Sequence, residues 1–163
     1  VGLYDDVFVG LHRAGVRYVV VGGVAVVLQG HVRTTVDLDL VVDLEVDAAS
    51  KVVAVLTDLG FTPRLPVPAM DFADPAIRRT WVAERNLQVF SFYDPANPMI
   101  EVDIFATEPV PLESLLADAL IVEIGGAPVA VASRRQLIAM KRLAGRPQDL
   151  ADIAALEDLE RDD

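Results

Sequence analysis

The residues best suited to chemistry are Asp37 and Asp39, one residue apart in the apolar run 36–42. Side chains alternate along a strand, so the two carboxylates share one face while Val36, Leu38, Leu40 and Val42 share the other. Two acids beside apolar residues repel each other and are costly to desolvate unless a positive charge lies between them. A divalent cation meets that need, and an oxygen-only ligand set suits Mg²⁺, which retains waters and is commonly completed by phosphate. The plain alternative is a solvated strand face, so the surroundings of the pair must decide.

Upstream, the β-branched run 18–21 leads into Gly22 and Gly23, and the apolar residues 24–29 follow before Gly30. A strand, a two-glycine turn and a short helix is the economical reading. Glycines in such a turn leave backbone N–H groups bare at the positive end of a helix, which suits phosphate, although a tight packing turn uses glycine equally well. Arg33 can neutralise the acids or reach phosphate oxygens, and Thr34 and Thr35 can donate hydrogen bonds.

The elements that must position these groups alternate in type. Leu3, Tyr4, Val7, Phe8 and Leu11 trace one helical face that stops at Gly15. After the acidic strand, Asp47 is placed to cap a helix over 48–59, with Val52, Val55, Leu56 and Leu59 as its buried stripe. The proline-rich stretch 62–75 reads as a loop, and 76–84 as a short helix or an extended edge. Strands 87–93 and 99–105 form a hairpin across the turn residues 94–98, with Glu101, Asp103 and Phe105 on one face of the second strand. Pro111 opens a helix to residue 119, and strands 120–124 and 127–131 flank Gly125-Gly126. Ser133 and Gln136 form a capping box for a helix ending at Gly145, and Pro147 opens a last helix to about residue 160, followed by a frayed tail.

This order predicts an α/β (α+β) protein: a small mixed β-sheet with flanking helices over 1–132, and a helical pair over 133–163 packed on it as one compact unit. Lys141 falls inside the apolar arc of its helix, where it must snorkel or meet an anion, and Asp149 lies on the inward face of the last helix. The two read either as a structural pair docking the helices or as part of an anion site. Trp81, among Arg78, Arg79 and Arg85, sits in the one basic cluster and is either a stacking surface for a base or acceptor ring or a packed anchor.

Composition narrows the classes. The 163 residues contain no cysteine, which removes disulfides and thiolate sites, and two histidines, too few and too far apart for a histidine metal centre. A net charge of −11 disfavours a large nucleic-acid partner. No run suits a membrane span or signal peptide, and the cytoplasm is the expected location.

Taken together, Gly22-Gly23 and the pattern G-x-x-R-T-T-x-D-L-D-L over 30–40 resemble the DNA polymerase β-like nucleotidyltransferase superfamily in its small bacterial branch. That branch holds minimal nucleotidyltransferases, nucleotidyltransferase toxins of type IV toxin–antitoxin systems and small antibiotic nucleotidyltransferases. The likeness extends to 137–141 and 146–153. It implies a nucleotidyltransferase fold whose Gly22 and Gly23 cradle a nucleoside triphosphate, and it favours Lys141 as a contact to the triphosphate; Arg33 and Thr34 are placed by their own position to serve the same phosphates. It also implies that Asp37 and Asp39 bind two Mg²⁺ ions with a third carboxylate that can act as base. Asp103 is expected there, with Glu101 as its substitute. Family members commonly carry Gly-Ser where this chain has Gly22-Gly23, so one hydroxyl contact is absent, and a Lys where it has Gln148.

The implied reaction moves a nucleoside monophosphate from an NTP to an acceptor hydroxyl, releasing pyrophosphate. The acceptor is a partner protein, tRNA or a small cationic antibiotic. The negative charge inclines toward the antibiotic or a protein. The alternative is a catalytically silent binding module or antitoxin partner.

Overall fold

The computed structural model describes residues 2–163. Its elements in chain order are α1 (Asp5–Ala14), β1 (Tyr18–Val21), α2 (Gly22–Leu28), β2 (Leu38–Val42), α3 (Val46–Asp58) and β3 (Thr62–Pro63). There follow a 3-10 turn (Ala69–Ala73), α4 (Pro75–Arg85), β4 (Val89–Asp94), β5 (Asn97–Phe105) and α5 (Leu112–Ala117). The hairpin β6 (Leu120–Ile124) and β7 (Ala127–Val131) then precedes α6 (Arg134–Ala144) and α7 (Pro147–Asp162). The seven strands make one mixed sheet in the order β3-β4-β5-β2-β1-β7-β6, with β2–β5 and β1–β7 parallel and the other neighbours antiparallel.

The centre of the sheet is where the sequence is most uniformly apolar. All four residues of β1 are buried, and Leu38, Leu40, Val102 and Ile104 of β2 and β5 are fully so. Strands covered on both faces read as continuous β-branched runs, as β1 does. The helices α1 and α3 cross closely at Gly10, where an added Cβ would lie 2.7 Å from Val55 Cγ1. Behind β4, Phe72, Phe90, Phe92 and Trp81 form an aromatic cluster, with Trp81 stacked on Phe90 at 5.0 Å between ring centroids.

Several local expectations are corrected. β2 begins at Leu38, leaving Asp37 one residue ahead of the strand. The helix α3 starts at Val46, so Asp47 lies within its first turn and caps nothing. Leu59 is 41% exposed, its place in the buried stripe taken by Ala49 and Val53. The stretch 62–75 is only partly a loop, because the 3-10 turn buries Phe72 completely, and α4 is a helix capped by the Asp74 carboxylate, which accepts from the Ala76 and Ile77 N–H groups. Pro111 stands at the N-cap of α5, whose helix ends at Ala117. Ser133 accepts from the Gln136 N–H at 3.1 Å, but the Gln136 amide donates to Ser114 O instead of completing the box. The expected frayed tail is helical to Asp162.

The helical pair reaches the sheet through α2: Gln29 donates to Ala132 O at 2.8 Å and Arg134 donates to Gln29 O at 3.1 Å. That junction carries Lys141 back over the glycine turn.

Candidate active site

The pairing of β2 with β5 sets the site. Asp39 lies in register with Asp103 across this parallel pair, and Val21, the last residue of β1, lies in register with Asp39 on its other side. Because β5 presents alternate residues to one face, Glu101 accompanies Asp103. Oxygens of Asp37, Glu101 and Asp103 lie within 4.8 Å of one another. Asp39 sits deeper, beside Asp103 and under Gly22. Asp103 and Glu101, alternatives in the sequence, are thus gathered together. Glu101 is also ion-paired with Arg64, whose guanidinium donates to Pro98 O at 2.8 Å and lies 4.5 Å over the Tyr93 ring.

Asp37, Asp39 and Asp103 resist ionisation in this company. Burial, then the charges of Asp103 and Asp37, push Asp39 up to about 7, with Lys141 and Arg146 acting in the opposite sense. Burial pushes Asp103 up to about 6; the Ser91 hydroxyl opposes the shift, and Glu101 and Asp37 add to it. Asp37 is raised by burial and then by Glu101. The buried Asp103 Oδ1 has no hydrogen-bond partner within the protein. An orphaned carboxylate oxygen among raised acids, with oxygen donors only, fits a hard divalent cation.

The glycine turn fits around these groups. Gly22 has φ +66, and a Cβ there would fall 2.1 Å from Asp39 Oδ2; one on Gly23 would fall 2.5 Å from Thr35 Oγ1 and 2.8 Å from Arg33 Nη2. The bare backbone therefore admits the Asp39 carboxylate on one side and the loop of Arg33 on the other.

A basic wall faces the acids. Lys141 Nζ is 3.4 Å from Asp149 Oδ1 and 3.0 Å from Asp152 Oδ2, with all three residues buried. Arg33 Nη2 donates to Asp152 Oδ2 at 3.0 Å, its Nε lies 2.9 Å from Oδ1, and Gln148 donates to Asp152 Oδ1 at 3.0 Å. Arg146 Nε donates to Asp149 Oδ2 at 2.7 Å. Burial works against ionising Asp149 and Asp152, but Arg146 outweighs it at Asp149, and Lys141 with Arg33 outweighs it at Asp152, so both stay below the usual carboxylate range. Three cations against two ionised acids leave this wall with one positive charge in excess.

Two pockets meet between the walls. One, of about 410 Å³, is lined by Gly22, Gly23, Arg33, Thr34, Asp37 and Lys141 among others. The second, of about 720 Å³, shares Gly22, Asp39 and Lys141 with it and continues along Val89, Phe105, Leu137 and Met140. The structure thus gathers every residue expected at the site. Trp81 is not among them: it is 5% exposed and packed in the core, and the neighbouring Arg78 donates to the Phe72 and Leu44 carbonyls. Lys141 and Asp149 are paired as the docking alternative supposed, and the pair borders both pockets. The sequence reading missed Asp152, Arg146 and Arg64. Asp152 was findable, since it stands three residues after Asp149 on the same helical face.

A mixed sheet carrying facing acids on two neighbouring parallel strands, closed by a helical pair that turns Lys141 and Arg146 toward them, is the nucleotidyltransferase architecture. In fold the chain is similar to a crystal structure of an antigenic nucleotidyltransferase-like protein from Paracoccidioides brasiliensis, with a TM-score of 0.56 and 19% identity over 95% of this chain and 77% of that one. Residues 11–163 match the family described as nucleotidyl transferase AbiEii toxin, type IV TA system, and the chain belongs to that family. It is accordingly a nucleotidyltransferase. No curated protein matches it in sequence. Among the described residues no helix is long and apolar enough to cross a membrane.

Proposed function

We propose that the protein transfers a nucleoside monophosphate from an NTP to an acceptor hydroxyl in a Mg²⁺-dependent reaction, as the toxin of a pair whose other member is an antitoxin. The observation that carries this is the pairing of Asp39 with Asp103 on adjacent strands, with an unpartnered Asp103 oxygen, opposite a wall of Arg33, Lys141 and Arg146. Asp37, Asp39 and Asp103 would hold two Mg²⁺ ions, with Glu101 within reach of the same cluster. When bound, the ions neutralise phosphate charge and align the attacking and leaving oxygens.

The chain's own residues do the rest. Gly22 and Gly23 let the triphosphate approach the backbone, and Arg33, Thr34 and Lys141 hold its oxygens while Asp149 and Asp152 fix Lys141. The nucleoside lies along the apolar pocket by Val89 and Met140. The acceptor oxygen bonds to the α-phosphorus, the bridge to the β-phosphate breaks, and pyrophosphate leaves. Asp103, as a carboxylate, takes the acceptor's proton. Residues 133–163 act as the part that closes over the nucleotide on the core 1–132. The reaction is placed in the cytoplasm, and the acceptor is a partner protein, tRNA or a small cationic antibiotic.

The test is incubation with each radiolabelled NTP and Mg²⁺ against RNA, protein and antibiotic acceptors, with the Asp37→Ala/Asp39→Ala variant as control. Labelling by wild type alone is expected. Labelling that persists in the variant refutes the site, and calorimetry showing no metal-dependent NTP binding by wild type would point to a silent binding module.

A further inference from the structure

Tyr4 stands immediately before α1 and is 7% exposed. Its phenol reaches two segments at once. It donates to Val36 O, lies 3.0 Å from Glu101 O, and accepts from the Glu101 N–H at 3.3 Å. With one proton, the phenol can donate to only one of the two carbonyls at a time, and the accepted bond keeps it in place between them.

Both segments carry acids of the site. Val36 directly precedes Asp37, and Glu101 is two residues from Asp103 on the same strand face. The loop 31–37 belongs to no helix or strand, and the ladder joining β2 to β5 begins only at Leu38 opposite Val102. Asp37 therefore hangs one residue beyond the last rung. The phenol supplies a crosspiece where the ladder has ended, and it comes from a residue ahead of the stretch 11–163 that matches the family.

We propose that Tyr4 is a positioning residue of the transferase site: its phenol ties the lead-in to β2 to β5 and so sets the Asp37 carboxylate against Asp103 and Glu101 at the spacing a divalent cation requires. This rests on the metal reading given above. The ordinary alternative is a core tyrosine whose hydroxyl merely finds partners. The two differ in what the phenol controls, which is metal affinity in the first case and stability alone in the second.

The experiment is titration of the metal-free protein with Mn²⁺, followed by the paramagnetic resonance of the free ion, on wild type, Tyr4→Phe, Phe8→Leu, Tyr18→Phe and Asp37→Asn. Thermal unfolding is recorded for each. Phe8, 3% exposed on the same helix, destabilises α1 without touching the phenol, and Tyr18→Phe deletes a buried hydroxyl that has no partner. Tyr4→Phe is expected to weaken Mn²⁺ binding about threefold to tenfold, the range one net hydrogen bond spans. Phe8→Leu and Tyr18→Phe keep the wild-type midpoint, and Tyr4→Phe added to Asp37→Asn has no further effect. Wild-type affinity in Tyr4→Phe, a shift no larger than that of Phe8→Leu, or loss of the fold in Tyr4→Phe overturns the proposal and leaves the metal site standing. A wild type that binds no Mn²⁺ overturns the metal reading itself, and the role of Tyr4 with it.

Discussion

Asp39 is expected to destabilise the metal-free protein at neutral and alkaline pH. Its carboxyl is moved from 3.8 to about 7, by burial first and then by Asp103 and Asp37. Between those values the folded chain holds a proton that the unfolded chain has released, so the contribution of Asp39 is most favourable below the unfolded value, falls as pH rises toward the folded value and levels off above it. At about 1.36 kcal/mol per pH unit the penalty grows to roughly 4 kcal/mol above pH 7. Asparagine is neutral throughout. In EDTA, Asp39→Asn is therefore expected to exceed wild type by roughly 2 to 4 kcal/mol near pH 8, the lower figure allowing for an amide that must find partners. Near pH 4 the two should nearly coincide. Saturating Mg²⁺ should reverse the order at high pH, because only the native carboxylate set gains by mass action. Urea unfolding at both pH values, with and without the metal, measures this. Equal midpoints at high pH in EDTA, or an advantage of the variant that survives acidification, would refute the electrostatic account of the site.

Other perturbations separate the site from its scaffold. Gly22→Ala puts a methyl 2.1 Å from Asp39 Oδ2 at a φ of +66, and the displaced carboxylate is expected to lower kcat/KM in the labelling assay more than about a hundredfold. Lys141→Met leaves Asp149 and Asp152 buried with fewer partners; it should cost about 3 kcal/mol in urea unfolding and raise the KM for NTP. Trp81→Ala, which empties a stacked position on Phe90, should cost about 3 to 5 kcal/mol while leaving that KM unchanged. An altered KM there would return Trp81 to the candidates for base stacking.

What could be read from the sequence was what short-range pattern encodes. The alternation in 99–105 put Asp103 and Glu101 on one face, and that face is where they stand. Gly15 and Gly145 ended their helices because both adopt the left-handed conformation that closes them. The misreadings fell where tertiary contacts decide. Nothing local distinguishes Arg64, in a stretch read as loop, from any surface arginine, until the hairpin delivers Glu101 to it. Tyr4 looked like one more residue of an apolar stripe, because a phenol's partners 32 and 97 residues away leave no period in the chain. Trp81 was ambiguous beside its arginines because burial of Arg78 against carbonyls cannot be seen in spacing. The Asp39–Asp103 register likewise depends on strand order, which periodicity does not contain.

That strand order also governs when activity can arise. The two acids are joined by roughly sixty residues of intervening chain, including β3, α4 and β4, and their pairing must close that loop before any ladder bond repays it. Lys141 and Asp149 arrive last of all, on helices that follow the final strand and border both pockets. A ribosome-bound chain lacking α6 and α7 thus holds the acids with Arg33 but without Lys141 and Arg146. The transferase site is therefore completed only once α6 and α7 have emerged behind the sheet.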